Sequence, residues 1–179
     1  MTVKTIIQRY MSGEHIDFLF FYGHTTLSLS VGKQCLSQHY SKAPFELDSF
    51  TFKTAEHYMM YGKAKLFGDI GIAAQIVKAE TTREVKDLGR KIKNFDQATW
   101  DEEKFQIVVD GNIAKFSQNP KLGKFLLSTD DAVIVETALN DNIWGIKLHK
   151  SNPDIYDPRK WEGENLLGFA LMKVRDILK

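Results

Sequence analysis

The stretch TAEHYMMYGKAKLF, residues 54–67, constrains the fold more than any other part of the chain. Its opening threonine and proline-free interior predict an α-helix capped by Thr54. At about 100° per residue, Ala55, Tyr58, Met59, Met60, Gly62, Leu66 and Phe67 share one broad arc, the face expected in the core. Glu56 and Lys63 fall inside that arc, while His57, Tyr61 and Lys65 are expected to point the other way. Seven residues make about two turns, so Glu56 and Lys63 stand nearly above one another. A carboxylate and an ammonium on an apolar face must be paired, solvated in a cleft or neutralised. The pattern fits a functional site, a buried ion pair, or two side chains snorkelling out at a helix edge. Burial lowers the pKa of a lysine and a nearby carboxylate raises it; the sequence leaves open which effect governs Lys63.

A chain of 179 residues can bury a proper core without staples. The expected organisation is an N-terminal extension over 1–15 followed by one domain over 16–179. A single cysteine, Cys35, excludes an intrachain disulfide and a cysteine-cluster zinc site. It fits a reducing compartment, so the expected location is cytoplasmic. The five histidines show no ligand spacing, and residues 55–59 are not an HExxH zinc motif, so no metal is expected. No apolar run approaches the ~20 residues that span a bilayer, and no membrane partner is expected. A formal net charge of +1 argues against a large duplex-DNA footprint but leaves room for a local basic groove.

Along the chain, IDFLFFYG (16–23) reads as a buried strand and TLSLSV (26–31) as a half-exposed one. FELDSFTF (45–52) reads as two short strands around a turn at Asp48-Ser49. Helices are expected over 69–79, after the capping box TTRE at 81–84, over roughly 97–117, and over 121–128. DDAVIVETA (130–138) reads as a strand, 151–161 as loop, and 164–178 as a closing amphipathic helix with Leu167, Ala170, Leu171, Val174 and Leu178 as its seam. The fold class is α+β, a mostly helical single domain with a small antiparallel sheet. GxGxxG and GxxxxGK[ST] loops are absent, which excludes a Rossmann or phosphate-loop reading.

Beyond Glu56 and Lys63, two stretches carry unusual chemistry. Asn140-Asp141-Asn142-Ile143-Trp144-Gly145 follows a buried strand; it is either a site at a strand end or a turn in which Asn and Asp bond their own backbone. Trp161 to Gly168 places Gly163 and Asn165 at a helix start, whose free donors suit a phosphate or serve plain capping. Arg90, Lys91 and Lys93 form a basic knot that is either a phosphate site or a solvated face, and Trp100 is either core or stacking platform.

The blocks TAEHYMMYGKAKLFGD, LGRKIKNFDQATWDEEKF, LNDNIWGI and KWEGENLLGFALMKVRD, in that order, resemble the NADAR family over about Phe21 to Arg175. The resemblance implies an N-glycosidase. Some family members hydrolyse an early phosphoribosylamino-pyrimidine intermediate of riboflavin biosynthesis; others remove ADP-ribose from guanine, reversing DNA or nucleotide ADP-ribosylation. Glu56 and Lys63 match the family's EHxxxxxK block, Trp100 its tryptophan, Asp141, Trp144 and Gly145 its NDxxWG, and Asn165 and Gly168 its NxLG. It implies catalytic roles for Glu56, Lys63 and Asp141, and substrate contacts at Tyr22, Ser37, Arg90, Trp100, Trp144, Gly145, Asn165 and Gly168. The expected partner is an ADP-ribose or phosphoribosyl substrate, including single-stranded ADP-ribosylated DNA, with no cofactor. Ser37-Gln38-His39 replaces the Ser-Asn-Phe of many relatives, and Tyr61-Gly62-Lys63 their Gln-Ala-x-Lys.

Cleaving a ribose C–N bond passes through an oxocarbenium-like state that needs negative charge near the anomeric carbon and a held water. Glu56 or Asp141 can supply these; Arg90, Arg159 and Lys160 are expected phosphate partners. Lys63 is either an electrostatic clamp on Glu56 or an amine that captures the opened sugar as a Schiff base. Outside the hydrolase class, the expectation left open is a module that binds ADP-ribose without cleaving it.

Overall fold

The computed structural model describes residues 1–24 and 30–179; most of the strand expected at 26–31 lies outside the described residues. The elements in chain order are α1 (Val3–Met11), β1 (Phe18–Phe21), β2 (Phe45–Leu47), β3 (Phe50–Phe52), α2 (Ala55–Leu66), α3 (Ile70–Lys78), α4 (Thr82–Gly89), α5 (Gln97–Gln118), α6 (Pro120–Leu127), β4 (Val133–Glu136) and α7 (Leu166–Leu178). Short 3-10 turns at Lys33–Leu36, Pro153–Tyr156 and Pro158–Lys160 complete the list. The class is α+β, as expected. No helix among the described residues is long and apolar enough to cross a membrane. The chain forms two compact units, Met1–Ser37 with Lys124–Lys179, and Gln38–Gly123.

In the first unit, β1 and β4 pair in parallel, with Phe18 opposite Val133 and Phe21 opposite Glu136. Each strand was expected, but not their parallel pairing, because it joins segments more than a hundred residues apart and no local turn announces it. Val133, Ile134 and Val135 are wholly buried, and α7, whose Leu167, Ala170, Leu171 and Val174 are buried, packs on β4. Burial of each such valine, leucine or isoleucine side chain contributes about 1.5–3 kcal/mol. Arg175 is buried at the far end of α7, where its Nη1 donates to Thr129 Oγ1 and to the Ala132 carbonyl, both at 2.9 Å. It therefore fixes the turn that delivers the chain into β4.

In the second unit, β2 and β3 form the expected antiparallel hairpin. Asp48 (φ 52°) and Ser49 (φ 65°) both take the left-handed conformation that a two-residue hairpin turn demands. Thr54 then caps α2, its hydroxyl accepting from His57 N–H. Asp69 caps α3, and Thr81 with Glu84 forms a complete capping box on α4.

Helix α2 is the centre of this unit, packed by α3, α4, α5 and β3. The one-sided burial expected for it is corrected here: His57 and Tyr61 are buried along with Ala55, Glu56, Tyr58, Met59 and Ala64, and within the helix Lys65 alone is exposed. Helices α3 and α4 and strand β3 cover the side assigned to solvent. His57 survives burial because both ring nitrogens are bonded, Nδ1 to Thr54 Oγ1 at 2.8 Å and Nε2 to the Ala79 carbonyl at 3.3 Å. The carbonyl can only accept, so Nε2 carries the proton and Nδ1 accepts from the threonine hydroxyl. Helix α5 crosses close by: a Cβ on Gly111 would lie 2.6 Å from the Tyr58 ring, and one on Gly62 2.7 Å from Ile107.

Candidate active site

The second unit carries Glu56 and Lys63 on α2 and Trp100 on the first turn of α5, and brings Lys63 to the Trp100 ring. Glu56 is only 3% exposed. Its backbone N–H, one of the unpaired donors of the first helical turn, is taken by the Gln38 carbonyl at 3.0 Å. The Gln38 side chain is itself held by Asn112 of α5, whose Nδ2 donates to Gln38 Oε1 at 2.8 Å. Lys86 of α4 brings its ammonium within 4.0 Å of the Glu56 carboxylate.

Lys63 sits in a different setting. Its Nζ lies 4.2 Å from the centre of the Phe95 ring and 5.4 Å from that of Trp100. Among the described residues it makes no ion pair, so Glu56 does not clamp it in this structure. Burial pushes the Lys63 pKa below the usual lysine value, with no opposing carboxylate. Lys65, two residues on, points away, bonds Asp48 at 3.0 Å and is pushed the other way by that carboxylate. Two lysines on one helix thus have opposite electrostatic environments.

Trp100 is buried with its ring toward Lys63, so the stacking role expected for it is not offered as an open aromatic face. Arg90 is exposed at the end of α4 and bonds Asp87 at 2.9 Å. Arg159, in the first unit, is likewise paired in two places with Asp157. Both guanidiniums are therefore partly neutralised by a carboxylate while keeping other donors for a phosphate, which weakens but does not remove their expected role.

The first unit gathers the remaining expected residues. Asp141 Oδ1 accepts from the N–H groups of Ile143 (2.9 Å) and Trp144 (2.8 Å), the self-bonded turn that the sequence allowed. This turn is latched to the start of α7: Leu166 N–H donates to the Ile143 carbonyl and Leu167 N–H to that of Trp144, both at 3.1 Å. The first-turn donors expected to be free for a phosphate are thus partly taken by the neighbouring loop, which corrects that reading.

Asn165 is wholly buried, with φ 53°. Its Oδ1 accepts from Glu136 N–H at 3.0 Å and its Nδ2 donates to the Ile134 carbonyl at 2.9 Å. Its amide braces β4, so its geometry is that of a positioning residue instead of a substrate ligand. Gly168 and Gly145 are packing positions in the same sense. A Cβ on Gly168 would run into the Ile134 carbonyl, and one on Gly145 would lie 2.9 Å from that of Glu136. Ser37 is buried after the Lys33–Leu36 turn. Tyr22 is 55% exposed just past β1, edge-on to His149 at 6.2 Å, with Lys150 Nζ 5.9 Å from its ring centre.

Sequence reasoning missed Phe95, Lys86 and the Gln38–Asn112 brace. Only Phe95 left a signal, an aromatic residue in the otherwise polar turn Lys93-Asn94-Phe95-Asp96. The other two act across tertiary contacts that no local pattern announces.

The profile of the NADAR domain matches residues 20–179. The mimivirus protein N-glycosidase R617 (Acanthamoeba polyphaga mimivirus) is 46% identical over 125 residues, 70% of this chain and 74% of its own length. N-glycosidase YbiA of Escherichia coli is 30% identical over 135 residues, 75% of this chain and 76% of its own. The maize chloroplastic riboflavin biosynthesis protein PYRR is 34% identical over 137 residues, 72% of this chain but 20% of its own length. The solution structure of E. coli YbiA superposes with a TM-score of 0.68 at 25% identity, covering 92% of this chain and 87% of that one. The chain belongs to the NADAR domain family, among relatives that are N-glycosidases and hence hydrolases.

Proposed function

We propose that this protein hydrolyses the ribose C–N bond of an ADP-ribosylated guanine base, with Lys63 as the reacting amine. The observation that carries the reading is the Lys63 amine itself, half-buried against two rings, without a counter-ion among the described residues and with a lowered pKa. A lysine in that state has a larger neutral, nucleophilic fraction at neutral pH than a solvated one. In the reaction, the amine bonds to C1′ as the C1′–N bond to the base breaks, and the base nitrogen takes a proton. The resulting glycosylamine opens as the C1′–ring-oxygen bond breaks, leaving an iminium on Lys63 and a protonated ring oxygen. Water adds to the iminium carbon and expels the amine, releasing the free sugar aldehyde. Glu56, on the same helix, supplies negative charge for the cationic transition state and a base for the water.

The riboflavin intermediate is the second reading, favoured by the likeness to the maize riboflavin biosynthesis protein. Protein offered an ADP-ribosylated guanine oligonucleotide and a ribosylaminopyrimidine phosphate in parallel, with products followed by mass, separates the two. Release of ADP-ribose from the oligonucleotide supports the first reading; cleavage of the pyrimidine alone replaces it with the second. Tight binding of free ADP-ribose with neither substrate cleaved makes the protein a reader.

A further inference from the structure

We propose that Phe95 is a positioning residue, whose ring, with that of Trp100, holds the Lys63 side chain in a carboxylate-free aromatic cage and controls the access of solvent to its amine. This inference rests on Lys63 being the reacting amine and adds the residue that sets its state. Phe95 is 42% exposed, yet its ring lies 4.2 Å from Lys63 Nζ and 5.2 Å from the Phe67 ring in an edge contact. Ordinary core packing would bury such a ring; here one part packs on α2 and the other faces water. The backbone on either side fixes it in place. Asn94 before it has φ 56°, and Asp96 after it caps α5, its Oδ1 accepting from Thr99 N–H at 2.8 Å. Lys93 N–H, one residue further back, donates to Asp69 Oδ2 at 3.1 Å. The turn that presents Phe95 is therefore tied to the starts of both α3 and α5.

Several charged groups on and around the elements packed against α2 are engaged elsewhere, and none is paired with Lys63 among the described residues. Lys65 pairs with Asp48, Lys53 with Glu80, Arg90 with Asp87 and Lys104 with Asp101, while Lys86 approaches Glu56. Asp69 accepts from the Ile72 and Lys93 amides. The environment of the Lys63 amine is thus made by rings, and the two effects of a ring have opposite signs. An aromatic face attracts the ammonium and favours the charged form. The bulk of the same ring excludes water and favours the neutral form. Replacement of Phe95 by an aliphatic residue of similar size keeps the second effect and removes the first; replacement by alanine removes both.

The test is the pH dependence of amine labelling by reductive methylation in the folded protein, read by mass at Lys63 with Lys65 as internal reference. Phe95→Leu is expected to lower the Lys63 labelling midpoint by roughly half a pH unit, the scale of one partly exposed cation–π contact. Phe95→Ala is expected to raise it toward that of a solvated lysine. The Lys65 midpoint stays put in both. A Lys63 midpoint that moves upward in both variants, or in neither, overturns the proposal, as does a shift shared by Lys65. Labelling needs no turnover, so the two readings fail separately. Opposite shifts in a protein that hydrolyses nothing keep the cage and sink the hydrolase; unmoved midpoints in an active enzyme sink only the role of Phe95.

Discussion

Replacing Asn165 should cost stability before it costs binding. The side chain satisfies two backbone groups of β4, the Glu136 N–H at 3.0 Å and the Ile134 carbonyl at 2.9 Å. Asn165→Ala orphans both, at about 1–3 kcal/mol each. It also places alanine at φ 53°, a left-handed position that asparagine tolerates better and that costs other residues about 1–2 kcal/mol. The expected loss is about 3–8 kcal/mol, a large part of the 5–15 kcal/mol typical of a domain. Urea unfolding without substrate measures it, as a lower midpoint at unchanged slope. Asn165→Asp sharpens the test, because it keeps the shape and the acceptor but sets a second oxygen against the Ile134 carbonyl. The buried carboxyl would then bind its proton more tightly folded than unfolded. Its folded pKa is raised, so its stabilising contact exists below the unfolded value near 3.9 and is lost as pH rises through the folded one. The Asp variant should therefore recover toward wild-type stability on acidification, while the Ala variant does not. A loss under about 1 kcal/mol for Asn165→Ala would refute the bracing role.

Burial lowers the pKa of His57. A lowered folded pKa means stability that is complete above the unfolded value of about 6.5 and is lost as pH falls through the folded one. Wild-type melting temperature should fall on acidification below that value, and His57→Gln should remove much of that slope; equal slopes refute the assignment. Glu56→Gln should cut turnover about 100-fold or more in protein that still folds, measured as single-turnover hydrolysis. A near-normal rate would remove Glu56 from the chemistry. Hydrolysis should persist in excess EDTA, since the sequence brings no histidine pair to ligand spacing; a loss restored by Zn²⁺ or Mg²⁺ refutes that expectation.

What could be read from the sequence was local. Thr54, Asp69 and the Thr81–Glu84 box mark helix starts because capping is chemistry within four residues, and each is a cap in the structure. The hairpin at Asp48-Ser49 was legible for the same reason. The parallel pairing of β1 with β4 was not, since neither strand carries a mark of its partner. The all-round burial of α2 was hidden by its mixed pattern: His57 and Tyr61 look solvent-facing until a carbonyl and a β-strand arrive to meet them. In the candidate site, Glu56 and Lys63 were visible as charges out of place. Their separation into one carboxylate near Lys86 and one amine under aromatic rings depends on α4 and the turn before α5. Asn165 was singled out correctly as unusual, but a left-handed asparagine bonded to a distant strand reads in sequence like any helix start.

The central claim is that Lys63 forms a covalent bond to the sugar. Borohydride added during turnover reduces an iminium to a stable secondary amine, and peptide mapping then locates the sugar mass. The account predicts the adduct on Lys63, none on Lys65, and loss of both adduct and most of the rate in Lys63→Arg, which keeps charge but not a nucleophilic amine. Full activity of Lys63→Arg, or an adduct carried by Lys65, would contradict it.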